Sequence, residues 1–161
     1  MSPPEVGPIL VVRHSRSGST DRLVEAFVAG VQIAREELAG GPALEIKGCF
    51  DAEPADVLRA AAIVLATPAN FGYMSGAMKD FFERIFHPCL DQTVGRPYAL
   101  MVKGDTDTSG ALASVERIVA GLQWKAVLPQ LSVVGEITDA DLDTATEMGA
   151  TLTAGLAEGL F

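Results

Sequence analysis

The segment RHSRSGST, residues 13–20, sets three serines, a threonine and a glycine between the apolar run PILVV and the stretch DRLVEAFVAGV. Residues of these types can hold an anion. Ser15, Ser17, Ser19 and Thr20 supply hydroxyl donors, and Gly18 lets the backbone approach a ligand closely. A helix that starts here leaves its first N–H groups unpaired and carries the positive end of its dipole, so the loop suits a phosphate held with little side-chain charge. The simpler alternative is an N-cap turn with spare hydroxyls. Neither the lysine of GxxxxGK[ST] nor the glycines of GxGxxG are present, and the loop has no cysteine to act as a nucleophile. Arg13 and Arg16 read as solvated charges. His14 and His87 have no catalytic partner pattern, and read as a strand-end contact and a helix C-terminal charge.

The loop must be positioned by the elements around it. PILVVRH, residues 8–14, is apolar and β-branched, as a strand covered on both faces should be. Leu23, Val24, Phe27, Val28 and Val31 then recur at helical spacing, with charges on the other side, up to Gly40, Gly41 and Pro42. ALEIKG (43–48) is a short strand toward the sheet edge, DAEPADVLRA a short helix or turn, and AAIVLATP (61–68) a third strand ended by Pro68. After the loop ANFGY comes an amphipathic helix with Ser75 as N-cap, carrying Met74, Met78, Phe81, Phe82, Ile85 and Phe86 as core positions. PYALMVKG (97–104), a helix across GALASVERIVAGLQW, the strand LSVVG and a last helix opened by Thr138 with Asp141 three residues on complete the chain. Strands and helices in strict alternation predict an α/β, doubly wound parallel sheet of five strands, in one domain spanning residues 1–161. Ligands of such sheets bind beyond the carboxyl ends of the strands, where the strand order reverses, and the Ser-rich loop lies at such an end.

Composition narrows the function classes. A net charge of −9, from 12 Lys and Arg against 21 Asp and Glu, argues against a nucleic-acid surface. Cys49 and Cys89 have no zinc or redox spacing, so no metal site and no disulfide framework are expected, and both read as packing residues. The start MSPPEVGP lacks the basic and apolar regions of a signal peptide, and no apolar run reaches membrane-spanning length. The expectation is a cytoplasmic protein without a membrane span.

A second segment gives the loop its context. TPANFGYMSGAMKDFFERI, residues 67–85, resembles the pattern TP-x-x-F/Y-G-x-M-S-G-x-M-K-x-F-x-D/E-R of the flavodoxin-like FMN reductases and quinone reductases. The same superfamily carries [ST]-x-[ST]-G-x-T in its first loop, which Ser15, Ser17, Gly18 and Thr20 match in register. The resemblance implies strand order 2-1-3-4-5 and bound FMN. Ser15, Ser17, Gly18, Ser19 and Thr20 would then hold the flavin phosphate. Pro68, Ala69, Asn70, Phe71 and Gly72 would line the isoalloxazine ring, with Phe71 or Tyr73 packing nearby. Lys103 and Gly104, after the fourth strand, would approach the pyrimidine edge by position alone, Lys103 being otherwise a solvated lysine on the loop rim. The chain is compact where the tryptophan-repressor-binding quinone reductases carry a longer excursion, and KGDTDTSG offers no aromatic ring of the kind carrier flavodoxins place in both flavin loops.

The resemblance thus implies an FMN-dependent oxidoreductase with no catalytic side chain of its own, reducing quinones or similar acceptors with NAD(P)H as electron donor. Its partner is a small-molecule acceptor or a redox protein, and a homodimer stays open. The alternatives are a non-enzymatic electron carrier, which the acidic charge would suit against basic partners, and a cofactor-free interaction module on the same fold.

Overall fold

The computed structural model describes residues 6–161; the first five residues of the chain, where part of the leader reading falls, lie outside them. At the centre runs β1 (Ile9–Arg13), paired in parallel with β2 (Leu44–Gly48) on one side and β3 (Ala62–Asn70) on the other. Beyond β3 lies β5 (Pro97–Gly104), again parallel, and β6 (Lys125–Ala126) and β7 (Leu131–Val134) both run along its far edge. The order is that expected of the 2-1-3-4-5 sheet, with β5 in fourth place and β6 and β7 sharing the fifth.

Alternate residues of each central strand feed two separate cores, as the period of two requires. Leu10, Val12, Ile63, Leu65, Leu100 and Val102 face α3 (Gly76–Cys89) and α4 (Ser109–Leu122), where Phe81, Phe82 and Trp124 fill the volume. Ile9, Val11, Ala62, Val64, Ala66, Ala99 and Met101 face α1 (Ser19–Glu37) and α5 (Asp139–Ala157). Alanines dominate this second face of β3 and β5, and the two helices touch closely above it. A side chain on Gly30 of α1 would stand 1.8 Å from the Thr146 carbonyl oxygen, and one on Gly149 of α5 would stand 2.0 Å from that of Phe27. Only glycine permits this approach. The expected caps are present: Ser75 accepts the Met78 N–H at 3.1 Å, and Thr138 and Asp141 form a reciprocal capping box.

Two features depart from the five-strand expectation. Pro68 does not end β3, because β1 stops at Arg13 opposite Ala66 and leaves that side of the strand without a neighbour. A proline there removes no ladder bond, and β3 continues to Asn70 before turning back as the antiparallel β4 (Tyr73–Met74). The last strand position is broken instead. Between Ala126 and Leu131 the chain takes five steps while β5 takes three, from Tyr98 to Met101, and Pro129 sits in the excess.

At the opposite edge, α2 (Pro54–Arg59) is tied to β2 through Asp56, whose buried carboxylate accepts from Lys47 at 2.9 Å and Arg59 at 2.6 Å. Burial alone would raise its pKa, but the Glu53 N–H, Lys47 and Arg59 together hold the carboxyl below its ordinary value. Both cysteines are buried and outside any disulfide, and burial pushes the Cys49 thiol up to about 12. No helix among the described residues is long and apolar enough to cross a membrane.

Two outcomes follow from this packing. Gly30→Ala should lose about 1–3 kcal/mol through overpacking against α5, lowering the melting temperature by about 2–4 °C per kcal/mol, whereas Gly76→Ala, at an open first-turn position, should be neutral or slightly stabilising. Equal melting temperatures for the two variants would contradict the glycine contact. Because the folded pKa of Asp56 is depressed, its contribution to stability is present above the unfolded value of about 3.9 and is lost as pH falls through the folded value. In denaturant titrations across pH, Asp56→Asn should flatten that acid limb.

Candidate functional site

The carboxyl ends of β1, β3 and β5 bring three loops together. In the first, Gly18 caps α1 in the left-handed conformation, φ +89°, which a β-branched residue adopts only under strain. Ser15 Oγ accepts the Gly18 N–H at 3.0 Å and so folds the loop, while the Ser17 and Ser19 hydroxyls lie 3.2 Å apart. The helix ladder begins only at the Arg22 N–H, bonded to Gly18, and the N–H groups of Ser19 and Thr20 find no acceptor among the described residues. Asp21, the acid of the first turn, is paired with Arg13 at 2.7 Å and faces a separate depression beside Val24, Val28 and Ile46.

The second loop, read from the sequence only as the loop ANFGY, is a two-residue hairpin. Ala69 pairs with Met74 and Asn70 with Tyr73, and both turn residues have positive φ, +51° at Phe71 and +69° at Gly72, the signature of a type I′ turn. An aromatic at the first of these positions is costly, so the tip must be held from outside. Thr67 Oγ1 accepts the Ser75 N–H at 3.0 Å, and Ser114 Oγ of α4 accepts the buried Met74 N–H at 3.1 Å while donating to Ala111 O. Gly110 closes the clamp: a side chain there would stand 1.9 Å from the Gly72 carbonyl oxygen.

The third loop starts at Lys103, whose side chain is only 13% exposed and whose Nζ donates to Asp105 Oδ1 at 2.8 Å. The reading of Lys103 as a solvated rim residue is therefore corrected, since its stem packs into the wall and only its pairing partner is exposed. That bond holds the Asp105 carboxyl below its usual range, and the Ser109 N–H and hydroxyl do the same for Asp107. Gly104 lies where a side chain would stand 2.8 Å from Asp107 O and 3.1 Å from Ala69 Cβ, so loops two and three are packed tightly.

Between them opens a cleft of about 420 Å³ lined by Arg16, Ser17, Ser19, Thr20, Pro68, Ala69, Asn70, Lys103, Gly104 and Asp105. Eight residues of the sequence-derived set thus line one cleft. Ser15 and Gly18 shape the loop without lining the cleft, Phe71 projects fully into solvent at the hairpin tip with Gly72 beside it, and Tyr73 faces a different depression next to α4. Arg16, set aside in the sequence, borders the cleft, and the turn Gly135–Glu136–Ile137 extends it past Ser19 and Lys103. Position at the end of the last strand is the only signal that could have flagged that turn. His14 makes the strand-end contact through its backbone, N–H to Ala66 O at 3.0 Å, while its buried Nδ1 has no partner among the described residues. No group of three or more His, Cys, Asp or Glu among them could hold a metal ion.

A 2-1-3-4-5 parallel sheet with helices on both faces, and a cleft beyond the ends of β1 and β3 where the order reverses, is the flavodoxin-like fold. The comparisons agree at that level. A flavodoxin from the domain Archaea superposes with a TM-score of 0.79 at 17% identity, covering 92% of this chain and 98% of that one. A flavodoxin, WrbA-like protein from Agrobacterium tumefaciens gives 0.74 at 21% identity, covering 95% and 98%. In sequence, a flavodoxin from Aquifex aeolicus is 29% identical over 80 residues, half of this chain and 40% of that protein. No family model matches the chain.

The clamp on the hairpin is testable. Ser114→Ala leaves the Met74 N–H buried without an acceptor, which should cost about 1–3 kcal/mol. Hydrogen exchange should speed up at Met74 and Ser75 more than in the core of β3; uniform protection across both segments would show that the hairpin does not depend on this bond.

Proposed function

We propose that the cleft binds FMN and that the protein is a flavodoxin-like oxidoreductase, taking electrons from NAD(P)H and delivering them to quinones or similar acceptors. The observation that carries this reading is the meeting, in one cleft, of unpaired N–H groups and hydroxyls on the α1 loop with the Pro68–Asn70 strand end and Lys103 opposite. The donor set fits a phosphate monoester. Ser17, Ser19 and Thr20 surround the unpaired end of α1, and Arg16 adds a cation at the rim. Pro68, Ala69 and Asn70 offer a flat backbone edge to a planar polar ring, and Lys103 can offset negative charge that builds up on it. When bound, FMN supplies the redox chemistry, accepting a hydride and releasing electrons one or two at a time. The chain's own residues bind, orient and tune; none needs to act as nucleophile or general base.

A second reading, a non-enzymatic electron carrier, is favoured by one observation: exposed Asp105 and Glu136 border the cleft in a chain of net charge −9, a surface suited to basic partners. In both readings residues 1–161 form one domain working in the cytoplasm.

FMN should bind at least ~100-fold more tightly than riboflavin, which is about 2.7 kcal/mol and within reach of one or two charge-assisted hydrogen bonds. Fluorescence titration measures both, and equal affinities would remove the phosphate assignment. Mixed anaerobically with FMN-loaded protein, NADPH or NADH should bleach the flavin band directly. A band unchanged by either nucleotide would favour the carrier.

A further inference from the structure

A second concave surface lies across the hairpin from the cleft. One depression, about 450 Å³, is lined by Tyr73, Lys79, Gly110, Ala113, Arg117 and Ile118. The next, about 400 Å³, shares Lys79 and Ile118 with it and continues between α3 and α4 past Phe82, Phe86 and His87. Together they form a groove with an aromatic floor, of a size that takes small organic ligands. The hairpin separates groove from cleft by a single strand pairing: Asn70, on the cleft wall, is the partner of Tyr73, on the groove wall, at the ordinary spacing of about 5 Å.

Charge sets the depression nearest the hairpin apart from the cleft, where Asp105 stands beside Arg16 and Lys103. In a chain with 21 acids and 12 bases, two cations, Lys79 and Arg117, project into the depression nearest the hairpin, and no acidic residue lines it. Arg117 makes no ion pair among the described residues. The sole acid of the adjoining depression, Glu83, is drawn to Lys79 at 3.3 Å. Farther along, His87 stands edge-on to Phe86 with ring centroids 5.4 Å apart, and an aromatic face is available there.

We propose that this groove holds the adenosine-phosphate half of the nicotinamide dinucleotide, with its phosphates on Lys79 and Arg117 and its base against Phe86 and His87. The other half of the molecule then crosses the hairpin past Tyr73 toward the cleft. This assignment rests on the reductase reading and adds to it a binding surface outside the cofactor cleft. Two cations on an aromatic floor match the chemistry of an adenine nucleotide, since the phosphates meet point charges in a setting that the protein's remaining charge would otherwise repel. An acidic protein would need a flat, extended basic face, whereas the cations here sit in a concave site of small-ligand size.

The redox-inert nucleotide NADP⁺ tests the placement. Titrated into FMN-loaded protein, it should shift amide resonances along α3 and α4, around Lys79, Phe86, His87 and Arg117. The double substitution Lys79→Glu and Arg117→Glu should weaken binding at least tenfold with FMN affinity unchanged, while Lys125→Glu, an exposed lysine on β6, should leave it within twofold. Shifts confined to the cleft loops, or unchanged affinity in the double variant, would overturn the groove assignment while leaving the reductase reading intact if NADPH still bleaches the flavin. Neither binding nor bleaching in the unmodified protein would remove both. If the same resonances shift on raising the protein concentration alone and NADP⁺ does not reverse this, the groove belongs to a second copy of the chain and the assignment fails.

Discussion

β1, β3 and β5 are buried on both faces, and a strand so placed can satisfy its backbone only sideways, by pairing with its neighbours. Most of the rest depends on that constraint. Parallel pairing demands a crossover for every strand, the crossovers become the helices that cover the two faces, and every strand ends at the same edge of the sheet. The three loops of the cleft are therefore neighbours although Ser17, Asn70 and Lys103 lie far apart in sequence. The amides of the α1 loop stay unpaired for a local reason, because the N-cap is Gly18, which has no side chain to accept them, and the Ser15 hydroxyl accepts the Gly18 N–H instead.

Where β1 ends, the constraint relaxes, and the site is built there. Beyond Ala66 the third strand has a partner on one side only, which admits Pro68 and frees the chain to turn back on itself. The turn then needs support that a sheet no longer provides. Ser114 and Gly110 of α4 supply it, one as a hydrogen-bond acceptor and the other by having no side chain. A helix separated from it in sequence by α3 and β5 thus fixes the geometry of the hairpin. The close contacts at Gly30 and Gly149 do similar work on the other face, and the turn at Gly135–Ile137 that extends the cleft is tied to β5 by the Gly135 N–H, which donates to Gly104 O at 2.8 Å.

This division explains what could be read in advance. The parallel alternation of strands and helices, the two-faced core and the caps at Ser75 and Thr138 follow from periodicities and local hydrogen bonds, which the sequence carries within windows of a few residues, whereas the strand order was implied only by the resemblance of residues 67–85 and of the first loop. The loop at Ser15–Thr20 was legible because strand, glycine and hydroxyls are consecutive. The hairpin was not, because Pro68 ordinarily ends a strand and a phenylalanine at positive φ is a poor turn signal; both are tolerated here only through contacts with distant residues. The broken fifth strand escaped for a related reason, since Lys125 and Ala126 gain their pairing from β5 alone. Lys103 shows the same limit for a side chain, because neither its burial nor its bond to Asp105 can be inferred from lying at a strand end.

That bond also bears on how the cleft handles charge. Lys103 lies against Asp105, so the pair presents a dipole to the cleft in place of a bare cation, and on the opposite side the α1 loop offers amides and hydroxyls whose own acid, Asp21, is drawn away by Arg13. Permanent positive charge at the α1 end is thus confined to Arg16 at the rim, and the rest of what the cleft has is oriented partial charge. A ligand with a fixed negative group is held at the α1 end by dipoles that need no reorganisation. Negative charge arriving at the other end would meet a lysine whose present partner is 93% exposed, so water could take over the Asp105 carboxylate at little cost. One end of the cleft is therefore constant in its electrostatics and the other adjustable, an arrangement suited to a ligand anchored permanently by one group while its other end changes charge.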